Sequence, residues 1–251
     1  MIATQAELLL MGGIAGLYLY DSLKLLQADE GVLSVGLRGG WAFHFGLEHY
    51  TLRGKQPFLP NPFHVHRPAF RFRWRPDLGT AASKPWAPPE LEPYRRLSAM
   101  VFVMAAALFV LIPLGLFSRL GNTALIGGLA LFYTTTCLAF ACIWRWRSRF
   151  GLTAKQVGAL AFESLSCPPF AINLIRHISG RVDPQGELLA TARQLLAERD
   201  WNQMLPEAID RVAAAMYCED EDSPRFRALM AQHAFLKQEL KLCQQKKSWS
   251  A

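Results

Sequence analysis

His44, His49, His64 and His66 are the residues whose type and spacing come nearest to chemistry. Imidazole is a common ligand of divalent metals, and two histidines one residue apart on a strand, as in His64-Val65-His66, would turn both rings to one face. These four are the candidate metal ligands. Against a metal centre stand two features: no Asp, Glu or Cys at matching spacing completes a ligand set, and the surrounding arginines repel a cation. Packed or solvated histidines are the plainer reading. His177 and His233 are more isolated still.

The second chemical pattern is Phe70-Arg71-Phe72-Arg73-Trp74-Arg75, in which arginine and aromatic residues alternate strictly. On a strand this gives one cationic and one aromatic face. Arg71, Arg73 and Arg75, with Arg145, Arg147 and Arg149 further along, are the candidates for contact with lipid headgroups or another anion, since juxtamembrane basic residues each gain about 1 kcal/mol near an anionic leaflet. The plain alternative is an edge strand with its aromatic side in a small core. Glu163 and Cys167 have no histidine nearby in sequence to form a catalytic pair, and no P-loop, G-x-G-x-x-G, G-x-S-x-G or H-E-x-x-H occurs. No catalytic residue and no cofactor is therefore expected.

The elements that must position these residues are organised around Leu97–Trp144. From Leu97 to Ser118, and again from Leu120 to Trp144, there is no charged residue and no histidine. Each run exceeds the ~20 residues that a helix needs to cross about 30 Å of hydrocarbon. A transmembrane hairpin turning at Ser118–Asn122 is expected, because in lipid each backbone polar group must be satisfied within its own element. A first span is expected within residues 1–27, on the uncharged core Leu8–Tyr20 extended through Leu23, Leu25 and Leu26. No Lys or Arg precedes that core and no A-x-A-like site follows it, which favours an anchor over a cleaved signal. Gly12 and Gly16 on this helix, and Ala124 and Gly128 on the last span, are the small residues expected to let helices approach closely. Pro113 is expected to kink the second span. Thr134-Thr135-Thr136 are expected to bond back to their own helix.

Between the first two spans, residues 28–96 read as a β-rich insertion followed by a Pro-rich linker. Strands are expected at 32–38, 41–45 and 69–75, with turns at Gly39-Gly40, Arg53-Gly54-Lys55 and Pro60-Asn61-Pro62. Residues 145–251 read as a helical domain of four or five amphipathic helices. Its expected boundaries are a capping box at Thr153–Gln156, a break at Pro168-Pro169, starts at Asp183-Pro184 and Ser223-Pro224, and a start or bend at Pro206.

Charge bears on location. The net charge of +7 and 51% hydrophobic content suit a basic membrane protein. Arg38, Arg53, Lys55, Arg67, Arg71, Arg73, Arg75, Lys84, Arg95 and Arg96 lie between the first and second spans, and Arg145, Arg147 and Arg149 follow the third. Arg119 is the lone basic residue of the hairpin turn. The positive-inside rule then places the N-terminus outside and the insertion and C-terminal domain in the cytoplasm; a bacterial inner membrane is the expected location. The five cysteines are scattered and do not form a disulfide or zinc framework.

The resulting expectation is a mainly α integral membrane protein with three spans, hairpin 97–144, a small β-rich insertion and a helical domain. Transporters and intramembrane enzymes usually need an ionisable group in the bilayer, and neither long run has one. The expected role is an accessory or scaffold subunit of a larger inner-membrane complex, in secretion, envelope transport or respiratory assembly. Its expected partners are the lipid bilayer, other membrane subunits and a cytoplasmic protein. The alternatives are a membrane-surface enzyme using the histidines with a metal, or a binder of anionic lipid; nucleic acid is the less favoured anion.

Overall fold

The structure is a computed structural model that describes residues 5–36, 39–47, 50–73, 85–119, 121–184 and 188–249. It is mainly helical and divides into two compact units, each assembled from separate stretches of the chain. The first comprises residues 1–24, 57–69 and 88–182; the second comprises 25–56, 70–87 and 183–251.

In the first unit, α1 spans Gln5–Ser22 and buries little beyond Tyr18 and Ser22. Leu8, Leu9, Leu10 and Leu17 stay exposed. The hairpin follows the expected course. Its first arm is continuous from Glu92 to Phe117, built of α2 (Glu92–Ala106), a π-helical turn (Ala107–Leu111) and α3 (Ile112–Phe117). Its second arm is α4, Gly121–Trp146. These two arms are the described helices long and apolar enough to cross a membrane; α1 is not among them, so a third span is not carried by the structure.

Pro113 explains the π turn. It has no N–H to give the Phe109 carbonyl one α-turn back, and the Ile112 N–H instead reaches Ala107 O, five residues back. The expected kink is thus a local widening of the helix. The arms pack closely at two glycines: a Cβ on Gly115 would lie 2.5 Å from Leu125 N, and one on Gly128 would lie 3.2 Å from Ile112 Cγ1 and Leu111 Cβ. Between the arms, Gly121 closes the turn at φ 51°, a backbone region that glycine enters without strain. Thr136 Oγ1 donates 2.8 Å back to Phe132 O, as expected of a threonine in an apolar helix, and also meets Met104 Sδ at 3.1 Å.

Beyond the hairpin, α5 (Ala154–Ser166) opens with the capping box: Gln156 N–H donates to Thr153 Oγ1 at 3.3 Å, and Thr153 N–H donates to Gln156 Oε1 at 2.8 Å. The Pro168-Pro169 pair ends it, and α6 (Pro168–Ile172) and α7 (Leu174–Ser179) follow. Residues 57–69 pack in this same unit. His64-Val65-His66, which on a strand would have turned both rings to one face, lies in turns. His64 N–H donates to Asn61 O at 3.0 Å and Arg67 N–H to His64 O at 3.1 Å, making two consecutive turns. Pro60, Pro62 and Pro68 supply no donors for a ladder, so the backbone satisfies itself locally.

The second unit holds most of the strand residues. β1 (Lys24–Leu26) pairs with β4 (Gln56–Phe58), and a three-stranded sheet has the order β3-β2-β5, with β2 Glu30–Val35, β3 Trp41–Phe45 and β5 Ala69–Arg73. β2 and β3 are antiparallel, with Leu33 opposite Phe43 and Val35 opposite Trp41. β2 ends before the expected Arg38, which lies outside the described residues, as do Trp74 and Arg75. β5 is the edge strand that its alternation allowed, with Phe70 and Phe72 fully buried and Trp86 ring-packed on both at 5.0 and 5.2 Å. Helices α8 (Leu188–Leu195), α9 (Glu198–Tyr217) and α10 (Pro224–Trp249) complete the unit. Pro206 lies inside α9. Residues 185–187 after Asp183-Pro184 lie outside the description, whereas Ser223 Oγ accepts from Phe226 N–H at 3.0 Å and caps α10 as expected. Buried Arg211 ties α9 to its surroundings: it donates to Gly46 O at 2.8 Å and Gln56 Oε1 at 2.9 Å, and lies 4.3 Å over the Phe45 ring.

Candidate functional site

A dense polar cluster lies in the first unit, where α1 ends beside α6 and α7. Between Pro168 and Gly180 the sequence is apolar except for Asn173, Arg176, His177 and Ser179. Positions i, i+3 and i+4 share a helical face, so the first three converge on one side. That side meets the last turn of α1. Asn173 Nδ2 donates to Asp21 Oδ2 at 2.8 Å and to Ser22 Oγ at 2.9 Å, and His177 Nε2 lies 2.9 Å from the same Asp21 oxygen. The His177 ring stacks on Phe170 at 3.7 Å.

Arg176 is the centre of this cluster and is 2% exposed. Its Nη1 donates to Asn173 Oδ1 at 3.0 Å and Ser22 Oγ at 3.2 Å, and its Nη2 donates to Asn61 O at 2.8 Å. No carboxylate is ion-paired with it among the described residues. Its charge is therefore held by neutral oxygens, and burial lowers its pKa, opposed in part by Tyr18 and Asp21. Tyr18, whose hydroxyl donates to Pro62 O, packs its ring edge-on to Phe109 of the π turn at 5.5 Å.

Asn61 O accepts both from Arg176 and from the His64 N–H, which joins the arginine to the two histidine turns. The His64 and His66 rings sit 5.8 Å apart, and His66 stacks on Phe102 of α2 at 4.9 Å. Burial, then the Arg67 guanidinium, His64 and Arg176 push His66 down to about 4, and burial with the same two arginines lowers His64. Both imidazoles are thus neutral at pH 7. His66 Nδ1 and Arg67 Nε are buried with no hydrogen-bond partner among the described residues.

The structure therefore brings His64 and His66 together, by turns and not by a strand. His44 is exposed on β3 of the other unit, and His49 lies outside the described residues. No group of three or more His, Cys, Asp or Glu residues suited to a metal occurs among the described residues. Nor is a nucleophile assembled here: Ser22 Oγ donates 2.8 Å back to Tyr18 O and engages Asn173 and Arg176, and His177 engages Asp21. What the arrangement offers is two guanidiniums and two neutral imidazoles with a buried donor to spare.

The arginines singled out by alternation are committed elsewhere. Arg71 pairs with Glu30 and also reaches Leu25 O at 3.2 Å, and Arg73 pairs with Asp29 at 3.0 Å. Arg75 lies outside the described residues. Arg145 is exposed at the end of α4; Arg147 lies 4.9 Å over Trp144, and Arg149 is 3.6 Å from Glu90. Gly128 is occupied by the facing arm of the hairpin, Ala124 is half-buried one turn away, and Gly12 and Gly16 face open space. Asn61, Arg67, Asn173 and Arg176 were not foreseen, although the polar face within Phe170–Ser179 was a readable signal. Compared with protein-family models, curated proteins and solved structures, the chain matches none.

Proposed function

We propose that this chain is an accessory or scaffold subunit of an inner-membrane assembly, holding neighbours through its apolar helices and recruiting a cytoplasmic component through its second unit. The observation that carries this reading is the unused face of α1: Gly12, Gly13 and Gly16 have nothing within 4 Å of where a Cβ would stand, beside the exposed Leu8, Leu9, Leu10 and Leu17. Elsewhere in this unit small residues serve close helix contact, at Gly115 and Gly128. Open glycines on an apolar helix suit the approach of a partner helix. The hairpin supports lipid around them, since Val110, Leu114, Ile126 and Leu138 remain exposed on arms long enough to span.

In this reading the aromatic and basic residues at the ends of the arms mark the cytoplasmic interface. Arg96 lies 5.4 Å over Trp146 and Arg147 lies over Trp144, a pairing that suits the headgroup level. The N-terminus is then outside and the C-terminal unit inside.

Membrane fractionation followed by native electrophoresis of gently solubilised protein tests the proposal. The wild-type chain is expected in the alkali-resistant membrane fraction and in a band of higher mass than its own. Gly12→Leu/Gly16→Leu is expected to return it to its own mass while leaving it membrane-bound. An unchanged band in that variant, or recovery of wild type in the aqueous fraction, overturns the reading.

A further inference from the structure

The groups left over by the polar cluster share a location. Ser98 Oγ lies 3.4 Å from His66 O and Phe102 stacks on the His66 ring, so the histidine turns run beside the first half of α2. At 1.5 Å per residue these contacts lie within about 8 Å of Leu97, where the charge-free stretch of the arm begins after Arg95 and Arg96, close to the headgroup level of an embedded hairpin. From this level upward Phe102, Val103, Val110 and Leu114 stay exposed along the arm, and Phe63, next to His64, is 83% exposed. A cationic, partly unsatisfied polar group thus sits at the foot of an exposed apolar track.

We infer that Arg67, with His64, His66 and Arg176 behind it, forms a site for the phosphate of a membrane phospholipid, whose acyl chains lie along Phe102, Val103 and Val110. The chemistry is that of a phosphate monoanion beside two guanidiniums. The buried Arg67 Nε–H donates to a phosphate oxygen, the forked geometry of guanidinium suits that acceptor, and His66 Nδ1, in the tautomer that carries its proton there, supplies a second donor. Asp21 is the carboxylate of the adjoining cluster, and it is taken up by Asn173 and His177. Arg176 keeps its contacts to Asn61, Asn173 and Ser22 and contributes its field. The site differs from Arg71 and Arg73, which already have acidic partners in the second unit.

The lipid source rests on the hairpin being embedded, whereas phosphate recognition rests on the cluster alone. Binding of dimyristoyl phosphatidylglycerol to the full chain in neutral detergent, followed by native mass spectrometry, tests both. Wild type is expected to bind saturably. Arg67→Gln is expected to weaken binding at least tenfold, and Arg227→Gln, an equal charge change on exposed α10, by less than twofold. Equal loss in the two variants, or none in either, overturns the site. Displacement of the lipid by inorganic phosphate at comparable concentration overturns the lipid assignment in favour of a free phosphate ligand. Should Arg67→Gln fail to fold, wild type decides: phosphatidylglycerol is expected to raise its melting temperature above that seen with the same concentration of dimyristoyl glycerol, which has the chains without the phosphate. No difference overturns the proposal. A chain that stays in the membrane fraction yet fails these tests loses the lipid site and leaves the assembly reading untouched.

Discussion

At the scale of single residues, the first unit depends on a guanidinium held without a carboxylate partner. Removing one side of a buried polar network exposes the desolvation cost of the other side, about 1–3 kcal/mol for each group left unpaired. Arg176→Met, similar in length and uncharged, takes one donor each from Asn61 O and Asn173 Oδ1, which keep the His64 N–H and the Ser22 hydroxyl. It is expected to destabilise the chain by about 1 kcal/mol for each hydrogen bond lost, read as a lowered melting temperature in detergent. His66 gives a sign-determined effect. Its folded value of about 4 lies below the ordinary 6.5, so the unfolded chain takes up the proton first. Its contribution is present above pH 6.5 and is lost as pH falls from there toward 4. His66→Phe keeps a ring to stack on Phe102 and is expected to flatten the acid limb of a stability profile measured between pH 7 and 4. An unchanged slope would show that His66 does not titrate in this way.

At the scale of elements, the hairpin is set by a few glycines and one proline. Neighbouring positions on α4 make a controlled comparison. Gly128 faces Leu111 and Ile112, whereas Gly127 has nothing within 4 Å. Gly128→Leu is expected to force the arms apart and to cost roughly 1–3 kcal/mol, as overpacking of close contacts does. Gly127→Leu is expected to be near neutral, with thermal unfolding of both variants as the measurement. The arms, the capping box of α5 and the cap of α10 were legible because uncharged length, Thr-x-x-Gln and Ser-Pro are local signals. The turns of the histidine segment have a physical reason. Its apolar–polar alternation imitates a strand, but prolines at 60, 62 and 68 remove ladder donors, and the backbone closes on itself in turns. The kink at Pro113 was legible as a disturbance; that it takes the form of a π turn was decided by where Ile112 N–H found an acceptor.

At the scale of the whole molecule, chain order and spatial membership part company. Residues 57–69 leave the β-rich stretch to join the helices of the first unit, and residues 183–251 join the strands in the second. In the second unit Arg211 holds α9 to Gly46, Gln56 and Phe45, elements more than a hundred residues away in sequence. Arg211→Met is expected to leave Gly46 O and Gln56 Oε1 without their donor and to lower the stability of that unit by about 1–3 kcal/mol, seen as earlier proteolysis of the C-terminal helices. By itself the sequence determined the hairpin, the edge strand with its buried aromatics and the caps that open α5 and α10, because each follows from periodicity, length or a motif within one turn or strand. Only the tertiary structure decided that Tyr18, Ser22, Asn61, His64, His66 and Arg176 are neighbours, and that Arg71 and Arg73 are neutralised. Burial and pairing depend on which distant segments meet, and no local pattern encodes that.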